Sequence, residues 1–261
     1  MRAAIRLLAA LAFVSATTAG AGTLEVGRAL ERSEAAVGTV PANHVFTTAD
    51  GRRIDLASLR GKPLVVNFVY TGCFQICPTT TRHLARAVER AEAALGPGRF
   101  QVATIGFNLP FDSPEAMRDF GRRHGLARAN WFFLSPHAES LERLLDDFGF
   151  TYVASPRGFD HLLQATILDA EGRIVRQLYG ETFALDALVE PLKALTLNAP
   201  LPAWDLGALA ERVRLLCTVY DPVAGEYRLD YALFSELAAG LLVLSVTAVF
   251  LLRHRRRTPN L

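Results

Sequence analysis

Two spacings of apolar residues alternate along the middle of the chain, and each change of spacing marks an element. Leu64-Val65-Val66-Asn67-Phe68-Val69-Tyr70 is an almost unbroken apolar, β-branched run, the pattern of a strand buried on both faces. Phe100–Phe107 and Leu163–Leu168 repeat that pattern. Between them, Thr79–Leu95 sets Leu84, Ala87, Val88, Ala91 and Leu95 on one helical stripe and stops at Gly96-Pro97-Gly98. Ser113 followed by Pro114 is an N-cap with proline at the first helical position, which predicts a helix to about His124. Trp131–Leu134 reads as a short strand, and Ser135-Pro136 as the start of another helix, to about Phe148.

Smaller signals fill the rest. Asp50-Gly51 between β-prone segments predicts a hairpin over Phe46–Leu56. Thr151–Ala154 reads as a short strand and Ser155–His161 as a loop. Asp169–Gly172 is a turn that pairs Leu163–Leu168 with Arg173–Tyr179, and Asp186–Leu197 is a last helix. Strands alternating with helices and closing in a hairpin predict an α/β sandwich with a mixed sheet over residues 42–198. Residues 22–41 read as a lead-in. Residues 199–232, broken by prolines and glycines, read as a connector with a short helix over Leu206–Cys217.

The two ends follow neither pattern. Residues 1–21 carry Arg2 and Arg6, a short apolar run from Leu7 to Val14, and Ala19-Gly20-Ala21, the layout of a secretory signal peptide. Residues 233–252 are apolar over a length that nearly spans a bilayer, with Glu236 at the outer edge. Four arginines and His254 follow in the tail, 253–261, which places that tail on the cytoplasmic side. The expected arrangement is a single-pass protein of the cytoplasmic (inner) membrane, with its domain in the periplasm and its C-terminus in the cytoplasm.

Charge then changes meaning. The formal charge is +2, but Arg2, Arg6 and the four tail arginines belong to export and topology; without them the body carries −4. An acidic body has no footprint for nucleic acid. A periplasmic body can use its cysteines for redox chemistry or metal binding.

There are three cysteines. Cys73 and Cys77 are four apart, at the end of a buried strand and the start of a helix, between Gly72 and Pro78. At that spacing both thiols face one way. Thiolates attack disulfides and bind soft metals, and a helix N-terminus stabilises them. The pair reads as a reactive dithiol or a metal site, against two plainer readings: buried core residues or a permanent structural disulfide. Two thiolates suit monovalent copper, with an imidazole completing a three-coordinate site. Among six histidines, His44 lies in the lead-in, His254 in the tail, and His124 and His137 at helix ends; His83 is about 240° around the helix from Cys77. His161 stands in the loop before Leu163–Leu168, which in a thioredoxin-like sheet lies beside the dithiol; a lone loop histidine also reads, more plainly, as a surface residue. Cys217 is left over, an odd thiol with no assigned role.

Tyr70-Thr71-Gly72-Cys73-Phe74-Gln75-Ile76-Cys77-Pro78 resembles the Cys-x-x-x-Cys-Pro signature of the Sco/SenC family, thioredoxin-fold copper proteins of cytochrome c oxidase assembly. Asp160-His161, followed by Asp169-Ala170-Glu171-Gly172, resembles the family's second signature, with Asp169 eight residues after His161. The resemblance covers roughly residues 42–197. It implies a thioredoxin-like α/β sandwich, here with one C-terminal transmembrane helix. It implies that Cys73, Cys77 and His161 hold one copper ion, Cu(I) or Cu(II), bound for the copper A centre of the oxidase. Implied partners are the oxidase copper-site subunit, other periplasmic copper carriers and thiol reductases. The family's Asp-Pro-x-x-Asp-Thr-Pro appears as Asn108-Leu109-Pro110-Phe111-Asp112-Ser113-Pro114, so its first aspartate is replaced. The resulting expectation is a membrane-anchored copper metallochaperone, with Asp160 orienting the His161 loop. A redox-active thiol–disulfide oxidoreductase and a redox or copper sensor are the alternatives.

Overall fold

The computed structural model describes residues 24–73, 76–126, 128–156 and 158–197, with 218–221, 226–229 and residues 242, 243 and 247. The signal peptide, Cys217, the Leu206–Cys217 helix, the arginine tail and all but three residues of the expected anchor lie outside the described residues. Among the described residues no helix is long and apolar enough to cross a membrane.

Seven strands form one mixed sheet. In chain order they are β1 (Val45–Thr48), β2 (Arg53–Asp55), β3 (Leu64–Val69), β4 (Gln101–Gly106), β5 (Trp131–Pro136), β8 (Gln164–Leu168) and β9 (Ile174–Tyr179). Their spatial order is β2-β1-β5-β4-β3-β8-β9. Strands β3, β4 and β5 run parallel, joined by crossovers through α2 (Ile76–Leu95) and α3 (Pro114–Arg123), while β1 and β8 run antiparallel to them.

Every residue of β3 is buried, as a central strand covered on both faces requires. Its side chains alternate. Val65 and Val69 join the core under α2, α3 and α5 (Leu185–Thr196), with Val88, Phe120, Leu188 and Leu192. Leu64, Val66, Phe68 and Tyr70 join the opposite core, with Leu144, Leu145 and Phe148 from α4 (Leu141–Asp147) and its C-cap. The Ser113 hydroxyl accepts the Ala116 N–H, and Pro114 opens α3 as its sequence predicts.

Three local readings change. Ser135 and Pro136 end β5 instead of starting a helix: Phe46 of β1 pairs opposite Pro136, and the helical turns begin later, at Ala138 and then Leu141. Residues 158–161 are not a loop. Gly158–His161 forms β7, paired antiparallel with β6 (Tyr152–Ser155), so that His161 stands opposite Tyr152. Within the expected lead-in, Val26–Ala35 forms α1. Ala29 and Leu30 of α1 pack with Leu162 and Tyr179, and the following residues bond to β9 through Gly38 N–H to Ile174 O and Ile174 N–H to Thr39 O. That pairing covers an otherwise open sheet edge. In the connector, β10 (Thr218–Asp221) and β11 (Glu226–Leu229) form a separate two-stranded hairpin.

Candidate metal centre

The carboxyl ends of parallel strands share one edge of an open sheet, which is where such folds place their chemistry. Past Val69 the chain turns through Tyr70, Thr71 and Gly72 to Cys73, and Cys77 follows in the first turn of α2. Cys73 and Cys77 are both in the reduced, thiol form. The Cys77 main-chain N–H donates to Cys73 Sγ at 3.2 Å, so an amide of the helix N-terminus faces the first sulfur. Cys73 is half-buried and Cys77 is 3% exposed. The Cys73 sulfur beside it, together with burial, pushes the Cys77 thiol far above the ordinary thiol range.

Tyr70 caps this pair. Burial first, and then its hydrogen bond with Cys73, push the Tyr70 phenol above its usual range. Gly158 makes the approach possible. It has φ +125°, and a Cβ there would stand 2.5 Å from the Tyr70 hydroxyl oxygen.

His161 lies at the end of β7, 8% exposed, inside a ring of aromatic side chains. Ring centroids lie 5.3 Å away at Phe150, 5.7 Å at Phe107 and 6.5 Å at Tyr70. Burial lowers its pKa, opposed by the Leu162 carbonyl and by the charges of Cys73 and Asp160. A neutral imidazole is therefore favoured. His161 Nδ1 lies 3.1 Å from Leu162 O. A carbonyl only accepts, so Nδ1 carries the proton and Nε2 keeps its lone pair. A backbone carbonyl on one ring nitrogen with the other left as a donor is the usual state of a metal-binding histidine.

Cys77 and His161 both line one small cavity of about 40 Å³. The donor set is two soft sulfurs and one neutral imidazole, which fits a soft or borderline metal. Among the described residues no three His, Cys, Asp or Glu side chains stand ready-clustered as a metal cage. The structure thus pairs the two sulfurs and sets the imidazole on the same cavity without closing the three around one point.

The other sequence candidates have structural duties. Asp160 stands opposite Val153 in the β6–β7 hairpin, half-buried. Asp169 Oδ1 accepts the N–H groups of Glu171 and Arg173 and holds the turn. His83 is buried, with Nε2 2.7 Å from Phe183 O, and His44 Nε2 pairs with Asp147 at 2.8 Å. His124 packs at a tilt against Phe120, with ring centroids 4.5 Å apart.

Asp112 is the residue the sequence reading undervalued. It is fully buried. Its Oδ1 accepts the Thr71 N–H at 2.8 Å and the Thr71 hydroxyl at 2.7 Å, and its Oδ2 accepts the Asn108 N–H at 2.7 Å. The Ser135 hydroxyl donates to its carbonyl oxygen at 2.7 Å. The carboxylate clamps the chain two residues before Cys73. Burial raises its pKa, and the Thr71 and Asn108 donors pull it back. The signal was present in the Asn108–Pro114 segment, where the second aspartate of the family motif is kept.

Fold and site together define a thioredoxin-like α/β domain that carries a dithiol, with an imidazole on the same cavity as Cys77. The chain belongs to the SCO1/SenC family, whose model matches residues 33–196. It is similar to the SCO1 protein homolog of Bacillus subtilis (strain 168), with 24% identity over 156 residues that cover 57% of this chain and 79% of that one. Among solved structures it is similar to a putative electron transfer protein of Aquifex aeolicus VF5, with TM-score 0.57 and 25% identity, covering 62% of this chain and 95% of that one. It also shares its fold with Arabidopsis thaliana ScoI, solved with copper bound, with TM-score 0.52 and 18% identity, covering 59% and 97%.

Proposed function

We propose that the protein is a copper carrier of the periplasmic face of the membrane, anchored by residues 233–252, which passes copper to the copper A centre of cytochrome c oxidase. The observation that carries this reading is the pairing of reduced Cys73 and Cys77 with a buried imidazole, His161, whose Nδ1 is tied to Leu162 O and whose Nε2 keeps a lone pair for a metal. The family and the copper-bound Arabidopsis relative support it.

In this reading Cys73, Cys77 and His161 bind one copper ion as cargo. Thiolate donors suit Cu(I). Cys73, the more exposed sulfur, gives way first when a client thiolate arrives, and buried Cys77 follows. Both carrier thiols regain protons as the metal leaves. A Cys73–Cys77 disulfide would remove two donors at once, so only the reduced protein carries copper. The Tyr70 hydroxyl and the Asp112 clamp keep the Cys73 loop in place through the exchange.

The competing reading is a thiol–disulfide oxidoreductase. The close contact of Cys77 N–H with Cys73 Sγ favours it, because it holds the two sulfurs as neighbours. Stoichiometric mixing separates the two. Copper-loaded protein is added to the reduced copper-free domain of the oxidase subunit, and metal is followed by mass spectrometry. In a second arm, reduced copper-free protein is added to the same domain in its disulfide form. Metal transfer with little disulfide reduction supports the carrier. Disulfide reduction without metal transfer establishes the reductase.

A further inference from the structure

The exposed large apolar side chains of the domain are not spread evenly. Val37 and Val40 flank the bonds to Ile174, at the start of β9. β9 runs parallel to β3, so its start lies at the sheet edge opposite the dithiol. Leu197 follows the last residue of α5. Phe111 and Tyr152 stand at the dithiol edge instead. The Tyr152 ring lies 5.1 Å from that of Phe107, which in turn lies 5.6 Å from that of Tyr70, the hydrogen-bond partner of Cys73.

Phe111 is 72% exposed, more than any other large apolar side chain among the described residues. It ends the run Leu109-Pro110-Phe111 after β4, in which Leu109 is half-buried and the other two are exposed. Protein surfaces avoid such a run unless it is used. The loop is also held in place. The Asn108 N–H donates to Asp112 Oδ2 at 2.7 Å, and the Asp112 N–H donates to Asn108 O at 2.9 Å, so the run is tied at both ends. Asp112 Oδ1 accepts the Thr71 N–H, two residues before Cys73. Phe111 is therefore fixed to the rim that carries Cys73, and a partner that covers it has little loop to order.

We infer that the Leu109–Phe111 loop is a docking surface for the client of the dithiol, with Tyr152 as a second contact, and that it takes an apolar segment flanking the client's receiving cysteines. The inference rests on the copper-carrier reading and deepens it. The dithiol itself identifies the occupant. A client thiolate displaces Cys73 only from within bonding distance of the metal, so the chain beside that thiolate lies over the same rim. Asp112 is fully buried, so the loop presents apolar surface and no carboxylate, and an apolar segment complements it. Phe111 contributes to the encounter and not to the ligand exchange.

The test uses the full chain in lipid nanodiscs, loaded with Cu(I), and the reduced copper-free domain of the oxidase subunit. Transfer is followed at rising domain concentration. Phe111→Ser is expected to raise the concentration for half-maximal rate at least about fivefold, with the maximal rate unchanged. Phe111→Leu recovers most of the loss. Cu(I) affinity stays within about twofold of wild type, as does the rate at which dithiothreitol, too small to need the loop, gives two electrons and two protons to the Cys73–Cys77 disulfide. Val40→Ser, at the opposite edge, leaves transfer as it is. An unchanged half-maximal concentration in Phe111→Ser overturns the inference, as does an equal shift in Val40→Ser or a fall in maximal rate alone. Wild-type self-association that Phe111→Ser abolishes, read by sedimentation, assigns the loop to a second copy and overturns it too. Wild-type protein that passes no copper to the domain at any concentration defeats the carrier reading itself, and the inference falls with it.

Discussion

Two buried histidines, in two neighbouring regions, show what distinguishes a candidate ligand from a core residue. His83 lies where α2 meets the chain leading into α5; His161 lies in the aromatic pocket at the end of β7. Each is less than a tenth exposed, and burial lowers the pKa of each. Their tautomers are opposite. His83 Nε2–H donates to Phe183 O at 2.7 Å, and its Nδ1 faces the Arg86 guanidinium at 3.5 Å, so both nitrogens are engaged. His161 spends Nδ1 on Leu162 O, and its Nε2 has no hydrogen-bond partner among the described residues. Burial alone therefore says nothing about ligation. The free nitrogen does.

That contrast can be broken or sharpened by experiment. The largest stability effect is expected outside both histidines, at the clamp that sets the Cys73 loop. Asp112→Ala leaves the Thr71 and Asn108 N–H groups without their acceptor, at about 1–3 kcal/mol each. Urea unfolding should show a loss of roughly 2–5 kcal/mol, with weaker copper binding because the Cys73 loop is released. A loss under 1 kcal/mol would remove Asp112 from the account.

His83→Ala comes next. It deletes a ring packed edge-on against Phe183 at 4.7 Å and a buried hydrogen bond, and should cost about 2–3 kcal/mol by the same unfolding measurement. Copper affinity should stay within about twofold of wild type. A large fall in affinity would make the region of α2 part of the site.

A pH series is smaller again. Both histidines have folded pKa values below the ordinary 6.5. The unfolded chain therefore takes up protons that the folded chain refuses as pH drops below about 6.5. Their share of stability is complete above that pH and is lost on acidification, with a slope of at most about 1.4 kcal/mol per pH unit for each histidine. Unfolding midpoints between pH 7.5 and pH 5 check this, and a flat profile contradicts it.

The smallest stability effect should be His161→Phe. The pocket is already aromatic, with Phe107 and Phe150 beside the ring, so an apolar ring of similar size should change stability by less than about 1.5 kcal/mol. Copper binding should fall all the same. Stability and binding thus separate in opposite directions at the two histidines.

The same contrast bears on how much the sequence made legible. The runs around Leu64–Val69 and Gln101–Gly106, and the Ser113-Pro114 cap, were readable because burial on both faces and capping chemistry leave local signatures. Ser135-Pro136 carried an equally good helix signature, yet pairing with β1 claims it for a strand end, where proline's missing N–H falls at the terminal pair of the sheet ladder. Gly158–His161 was too short and polar to register as a strand; only its partner Tyr152–Ser155 makes it one. Cys73 and Cys77 stood out by spacing, and His161 by resemblance to a family motif. Asp112 did not stand out. An aspartate before a Ser-Pro cap looks like a solvated loop residue, and its burial against Thr71 depends on two chain segments some forty residues apart.

The central claim is that His161 completes a site begun by Cys73 and Cys77. It is tested most directly by titrating the reduced full chain with Cu(I) against a competing chelator, wild type beside His161→Ala and Cys73→Ser/Cys77→Ser. The account predicts one tightly held ion in wild type, at least tenfold weaker binding in His161→Ala, and none in the double serine variant. Wild-type affinity in His161→Ala would contradict it.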